Sequence, residues 1–249
     1  MVSQSSGMVL LAVMLPLLPD AAPAMRDLGW GAVAGLAVGT GLALLYRALA
    51  VGRMAVVAPA TAVCAVVIPV MAAMLLGERP GLRTLAGIAL ALVSLVLVSQ
   101  QRAAPGAHPA AGLPSSGLGL ALLAGVGIGV FFLSLARTAS TAGLWPLLAA
   151  RCASAALFGV STLARRWSLR MPPPVAAMVI AGGVIDMLAN ALYLIATHNG
   201  PLSVVVTLSS LYPASTVVLA LAVLGERLSV LQGAGIACAL IAVLLIVGR

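Results

Sequence analysis

Long apolar runs separated by short breaks dominate this chain. Runs near 29–50, 54–76, 82–99, 115–136, 143–163, 174–197, 202–224 and 228–248 each contain no more than one charged residue. A helix needs roughly 20 apolar residues to cross the hydrocarbon core of a bilayer, and these runs meet or approach that length. They lack the period-two alternation of a lipid-facing barrel strand, so the pattern predicts membrane helices and no barrel. Short breaks such as Gly52-Arg53-Met54, Gly77-Glu78-Arg79-Pro80-Gly81 and His198-Asn199-Gly200-Pro201 are built from turn formers. The two longest breaks, 100–116 and 165–174, are Pro-rich and polar enough to lie outside the bilayer.

The pattern also repeats. Leu76–Val98 and Leu224–Ile246 align without gaps at an offset of 148 residues. Leu76, Gly77, Glu78, Arg79, Ala86, Gly87, Ile88, Ala89, Ala91, Leu92 and Leu97 each meet an identical partner. The chain therefore reads as two copies of one unit, 1–101 and 115–249, joined by a linker over 102–114. The second copy holds five runs. The first holds three and an N-terminal stub of about a dozen apolar residues, Gly7 to Leu18, interrupted by Pro16. The stub is short for a span and lacks the basic start and cleavage site of a signal peptide. The offset places the beginning of copy one before Met1, so the expectation is a short helix over 1–18 with the preceding helix missing. An odd number of spans per copy inverts the second copy relative to the first. Inverted repeats meeting at a midplane cavity are an architecture of secondary transporters.

Composition agrees with lipid as the solvent. Of 249 residues, 63% are hydrophobic and 7% charged, against about 25% charged in soluble domains. The net charge of +8 comes from 13 basic residues, all Arg, set mainly between apolar runs. That placement suits headgroup contact, and no basic stripe with aromatics suggests a nucleic-acid partner. The Arg distribution selects no orientation. Cys64, Cys152 and Cys238 lie singly in apolar runs and read as small packing residues. No zinc spacing, P-loop, G-x-S-x-G or H-E-x-x-H occurs, so no metal, cofactor or enzymatic chemistry is expected.

Two copies that each end in L-G-E-R before a Gly/Ala-rich final helix resemble the drug/metabolite transporter superfamily, specifically its EamA-type members. The signature covers Leu76–Arg79 and Leu224–Arg227, with Tyr212-Pro213 and Val57-Ala58-Pro59 in the preceding helices. The resemblance implies an all-α integral membrane protein of two inverted five-helix bundles. About nine of the ten helices would be present here, the first of them short. It further implies a central cavity and gradient-driven transport of a small-molecule substrate across the cytoplasmic (inner) membrane, with export of amino-acid-like compounds the commonest expectation. Membrane lipid is a partner; proton or ion coupling and a homodimer are further options. A non-transporting membrane scaffold is the alternative. A membrane-embedded enzyme is disfavoured, because no nucleophile–base pair accompanies the charged residues.

Within the spans, few residues carry chemistry. Gly35–Tyr46 aligns with Gly182–Tyr193 at an offset of 147, which sets Asp186 opposite Gly39 and Asn190 opposite Ala43. Asp186, Asn190 and Tyr193 follow an i, i+4, i+7 spacing on one helix face. An ionisable group at mid-membrane costs at least about 2.5–3.5 kcal/mol, so Asp186 needs a cavity or a partner. It reads as a cation-binding or proton-coupling carboxylate, or as half of a fixed ion pair. Arg151, near the middle of its own run, is the partner in the second case. In the first it is a receptor for an anionic substrate group, and the two together suggest a substrate with both an anionic and a cationic group.

The remaining residues divide between the interface and packing. Tyr46 matches Tyr193 and reads as a cavity wall or an interface residue, as Trp145 reads as an aromatic belt and Arg47 as snorkelling. Glu78 and Glu226, in the motifs Gly77-Glu78-Arg79 and Gly225-Glu226-Arg227, can accept from free N–H groups at the start of the helix that follows each. The spacings Gly31-x3-Gly35-x3-Gly39 and Gly125-x3-Gly129 allow close helix contact, and Pro59, Pro69 and Pro213 are candidate kinks.

Overall fold

The computed structural model describes residues 2–15, 21, 23–52, 54–99, 117–164, 172–219 and 229–248. The described regular structure is helical: α1 (Val2–Met14), α2 (Met25–Val51), α3 (Met54–Leu75), α4 (Leu82–Val98), α5 (Leu118–Ala136), α6 (Trp145–Ala164), α7 (Pro173–Asn199), α8 (Leu202–Ser209), α9 (Tyr212–Leu219) and α10 (Val230–Val247), with a 3-10 turn at Ser140–Ala142. α2, α3, α5, α6, α7 and α10 are long and apolar enough to cross a membrane; α1 and α4 are shorter apolar helices. The linker 102–114 and the motif Gly225-Glu226-Arg227 lie outside the described residues.

The helices follow the apolar runs, with one difference. The run 202–224 is interrupted at Ser210-Leu211, between α8 and α9. Pro213 has no N–H to donate to Ser209, and proline is accepted in the first turn of a helix. The chain therefore closes α8 with a tighter turn, Leu211 N–H donating to the Leu208 carbonyl at 3.2 Å, and restarts. Pro59 and Pro69 do not interrupt α3, which runs through both.

Which residues point inward identifies the solvent. Leu82, Leu163, Val230 and Leu244 are 67–86% exposed, while Ala34, Ala48, Ala91, Ala121, Ala124 and Ala242 are fully buried. Many large apolar groups face outward because lipid tails solvate leucine well, and alanines join leucines such as Leu95, Leu135 and Leu194 in the interior, where small residues let helices approach closely. The chain is a multi-pass membrane protein.

The described helices form two compact units. The first is Met1–Thr40 with Val130–Gly200; the second is Gly41–Gly129 with Pro201–Arg249. In the first, α2 lies on α6 through its glycine stripe. A Cβ on Gly31 or Gly35 would collide with the backbone of Pro146 or Ala150, and one on Gly39 with Leu157. α1 lies on α7 in the same manner, with Gly183 against Ser3 and Ser6. Asp27, buried in the first turn of α2, accepts from Ala24 N–H at 3.2 Å and from Ala139 N–H at 2.9 Å. It thereby ties the α5–α6 connection to the start of α2.

In the second unit α4 and α10 pack antiparallel, and the contacts are reciprocal. A Cβ on Gly87 would meet Ile246, Ala242 and Leu245; one on Gly235 would meet Val98 and Leu97. Each contact maps onto the other under the 148-residue offset. Ser94 adds a hydrogen bond to the Gly235 carbonyl at 2.7 Å. α3 meets α5 through Gly125 and Gly129, with Thr61 donating to the Ala121 carbonyl at 3.0 Å.

Candidate functional site

The first unit contains a buried guanidinium, and the chain around it explains how a membrane helix tolerates one. Arg151 sits two turns into α6. Its side chain is 9% exposed, so every unmet donor would carry a desolvation cost. Nη2 donates to Asp186 Oδ2 at 2.5 Å, Nη1 to Gln4 Oε1 at 2.5 Å, and Nε contacts Met187 Sδ at 3.4 Å. Ser154, one turn on from Arg151, donates to the same Gln4 oxygen at 3.2 Å. Three helices therefore converge on one guanidinium: α6 supplies it, α7 its counter-charge, and α1 a neutral acceptor. The glycines make this convergence possible. A Cβ on Gly7 would crowd Met187 and the Gly183 carbonyl at 3.2 Å, and the missing side chain of Gly183 leaves room for Ser3 and Ser6. With larger residues there, Gln4 would stand off from Arg151.

The other half of the pair is open. The Asp186 side chain is 55% exposed, and only Oδ2 engages a described protein donor. Asn190, one turn along, turns its Nδ2 back to the Asp186 main-chain carbonyl at 2.7 Å, and its Oδ1 has no described protein donor.

Tyr193 shares the stripe with Asp186 and Asn190 but has different surroundings. Seven residues along a helix is about 10 Å, enough to meet another neighbour. Tyr193 is buried, its hydroxyl donates to the Phe132 carbonyl at 3.1 Å, and its ring lies 4.8 Å from that of Phe132. Tyr46, its repeat equivalent, is 68% exposed and belongs to the second unit. The structure thus brings Asp186, Arg151 and Asn190 together and packs Tyr193 against α5.

Gln4 is absent from the sequence-based site. The signal for it was present, since Gln4 and Arg151 are separated by 147 residues, the offset that aligns α2 with α7. Across that separation the two residues bond to each other.

The repeat motif acts elsewhere. Leu76-Gly77-Glu78 closes α3 with a Schellman turn: Gly77 N–H donates to the Met74 carbonyl at 3.1 Å and Glu78 N–H to the Ala73 carbonyl at 3.0 Å. Gly77 has φ +103°, which favours glycine. Glu78 then serves α8, and not the following helix α4 as expected. Its carboxylate accepts from Leu202 N–H at 2.6 Å, Ser203 N–H at 3.1 Å and Ser203 Oγ at 2.7 Å. Pro201, the N-cap of α8, offers no side-chain acceptor, so Glu78 satisfies the first donors of that helix. Arg79 is exposed.

His198 contacts the Thr138 carbonyl at 3.0 Å and its hydroxyl oxygen at 3.3 Å, fixing the end of α7 to the end of α5. Among the described residues, no group of three or more His, Cys, Asp or Glu could hold a metal ion.

Residues 115–248, more than half of the chain, match the model of the EamA-like transporter family. A solved crystal structure is similar over 98% of this chain and 84% of its own, with a TM-score of 0.76 and 20% identity. That likeness shows a shared fold. No curated protein matches.

Proposed function

The chain belongs to the EamA-like transporter family of the drug/metabolite transporter superfamily, and on that footing we propose that it is a secondary transporter. It moves small polar metabolites across the cytoplasmic membrane by alternating access, exporting amino-acid-like compounds. The observation that carries this reading is the cluster of Arg151, Asp186 and Gln4 inside otherwise apolar helices. Ionisable groups within a membrane are costly and mark substrate or ion pathways. Asp186 and Asn190 form the substrate-facing part of the site, Arg151 anchors Asp186, and Tyr193 is the rigid support.

Two inverted repeats, 1–101 and 115–249 with the linker 102–114, supply the alternation. The reciprocal Gly87 and Gly235 contacts and the meeting of Gln4 with Arg151 support that organisation. Protons or ions that exchange at Asp186 couple transport to a gradient.

The test is flux in proteoliposomes. Purified protein is reconstituted, labelled amino acids, amines and organic acids are loaded inside, and efflux is followed with and without a pH or sodium gradient. Saturable efflux that falls at least tenfold in Asp186→Asn is the expected result. Absence of flux for every class, from folded protein, would sink the transporter reading and leave a membrane scaffold.

A further inference from the structure

Resting on the transporter reading, a narrower inference concerns which end of the substrate this site receives. Charge alone is ambiguous, because Arg151 and Asp186 together are neutral and suit a zwitterion, an ammonium or a carboxylate. Burial and hydrogen bonding separate the three.

The guanidinium is at the closed side. Each of its nitrogens already contacts a protein acceptor, Gln4 Oε1, Asp186 Oδ2 or Met187 Sδ, and its side chain is 9% exposed. At 9% exposure the guanidinium is barely accessible to a substrate carboxylate, and Gln4, which Ser154 also approaches, stands against Nη1. The open side is the reverse. Asp186 is 55% exposed, and no described donor reaches its Oδ1. Asn190 Nδ2 donates one N–H to a carbonyl, which sets the direction of the amide and leaves its acceptor Oδ1 and its second N–H without a described protein partner. The acceptors left over in the cluster are thus two oxygens one helical turn apart on the same face of α7, and the exposed charge is the carboxylate's.

We propose that Asp186 Oδ1 and Asn190 Oδ1 form a receptor for the ammonium group of the substrate, and that Gln4 keeps Arg151 out of direct substrate contact. A carboxylate accepts about four hydrogen bonds, so Asp186 holds Arg151 through one oxygen and an ammonium through the other without breaking the ion pair. Arg151 fixes the carboxylate's direction. Gln4 is a specificity-determining residue that acts through Arg151, since it covers the buried guanidinium at Nη1 and takes one of its N–H groups. The ligand class is an organic ammonium: a primary amine, or an amino acid taken by its amine end.

The experiment uses matched trios built on valine and phenylalanine: the amino acid, the amine lacking its carboxylate, and the acid lacking its amine. Each is added to the detergent-purified full chain and thermal stability is followed. The amine and the amino acid should stabilise the wild type, and the acid should not. Asn190→Ala leaves the ion pair intact and should weaken the amine by about tenfold, even where Asp186→Asn folds poorly. Gln4→Ala should gain response to the acid. A wild type stabilised by the acids and not the amines, or amine binding unchanged in Asn190→Ala, would overturn the proposal. So would no response to either trio, or an equal Asn190-dependent shift with sodium replacing choline. Flux of the same trios in proteoliposomes separates the two readings: amine binding without translocation removes the transporter and leaves the receptor, while translocation indifferent to Asn190 and Asp186 does the reverse.

Discussion

The α4–α10 joint and the cluster at Arg151 are each built by equivalent positions of the two copies, and they have diverged in opposite ways. At the joint the copies keep the same residue: Gly87 and Gly235 make mirror-related contacts, and Ser94, whose equivalent is Ala242, adds a hydrogen bond. At the cluster the positions still meet, yet the residues differ. Gln4 faces Arg151, and Asp186 stands where the other copy has Gly39. Packing needs only that each glycine admit its neighbour, so symmetry costs nothing there. A polar site cannot stay symmetric in the same way, since two arginines in contact would repel and leave both buried charges unpaired. Divergence between equivalent positions therefore marks chemistry, and retained identity marks fit.

The largest effect should come from breaking the asymmetric half. Asp186→Leu strands the Arg151 guanidinium. Losing one partner of a buried pair costs about 3–5 kcal/mol, and the half-exposed Asp186 places this case at the lower end. Arg151→Met combined with Asp186→Leu should recover most of that stability while flux stays absent. Unfolding in mixed micelles beside proteoliposome flux reads both, and a double variant no more stable than Asp186→Leu would refute the pairing as the cause.

The symmetric half gives the next effect. Gly87→Leu and Gly235→Leu should each lose about 1–3 kcal/mol through overpacking, and the two losses should agree within about 0.5 kcal/mol. A large loss in one alone would break the mirror relation.

Glu78→Gln removes the charge from three hydrogen bonds and should cost about 1–2 kcal/mol, with substrate binding retained in a ligand thermal-shift assay. Smallest is Ser94→Ala, which makes copy one resemble copy two. Interhelical hydrogen bonds in membranes average about 0.6 kcal/mol, so its unfolding free energy should fall by no more than about that.

Much of this was legible in the sequence, because lipid imposes a simple rule on helix length and polarity. The helix bounds and the glycine faces followed from it. Asp186 and Arg151 could be singled out because each is the lone charge in its run. What the sequence hid was direction and neighbour. Pro213 read as a kink, but the break falls two residues before it, where the missing N–H is felt. Tyr193 shared a stripe with Asp186, yet a stripe crosses several neighbours along its length, and Phe132 covers that end. Gln4 could have been found by carrying the 147-residue offset into the N-terminal stub. Glu78 could not have been assigned to α8 from local sequence, since its partners lie 124 and 125 residues away.

That separation has a consequence in time. Translation proceeds at roughly 5–20 residues per second, so the Glu78 carboxylate emerges on the order of 6–25 seconds before Leu202 exists to meet it. During that interval the turn at the end of α3 is complete and the group it presents is waiting. Insertion must hold Glu78 near headgroups or water until α8 arrives, and a nascent chain halted before α8 would leave an ionised carboxylate at the end of a finished helix. The same residue that later fastens two distant helices is, during synthesis, a carboxylate still without the three hydrogen bonds of the finished fold, and so a marker of incomplete assembly.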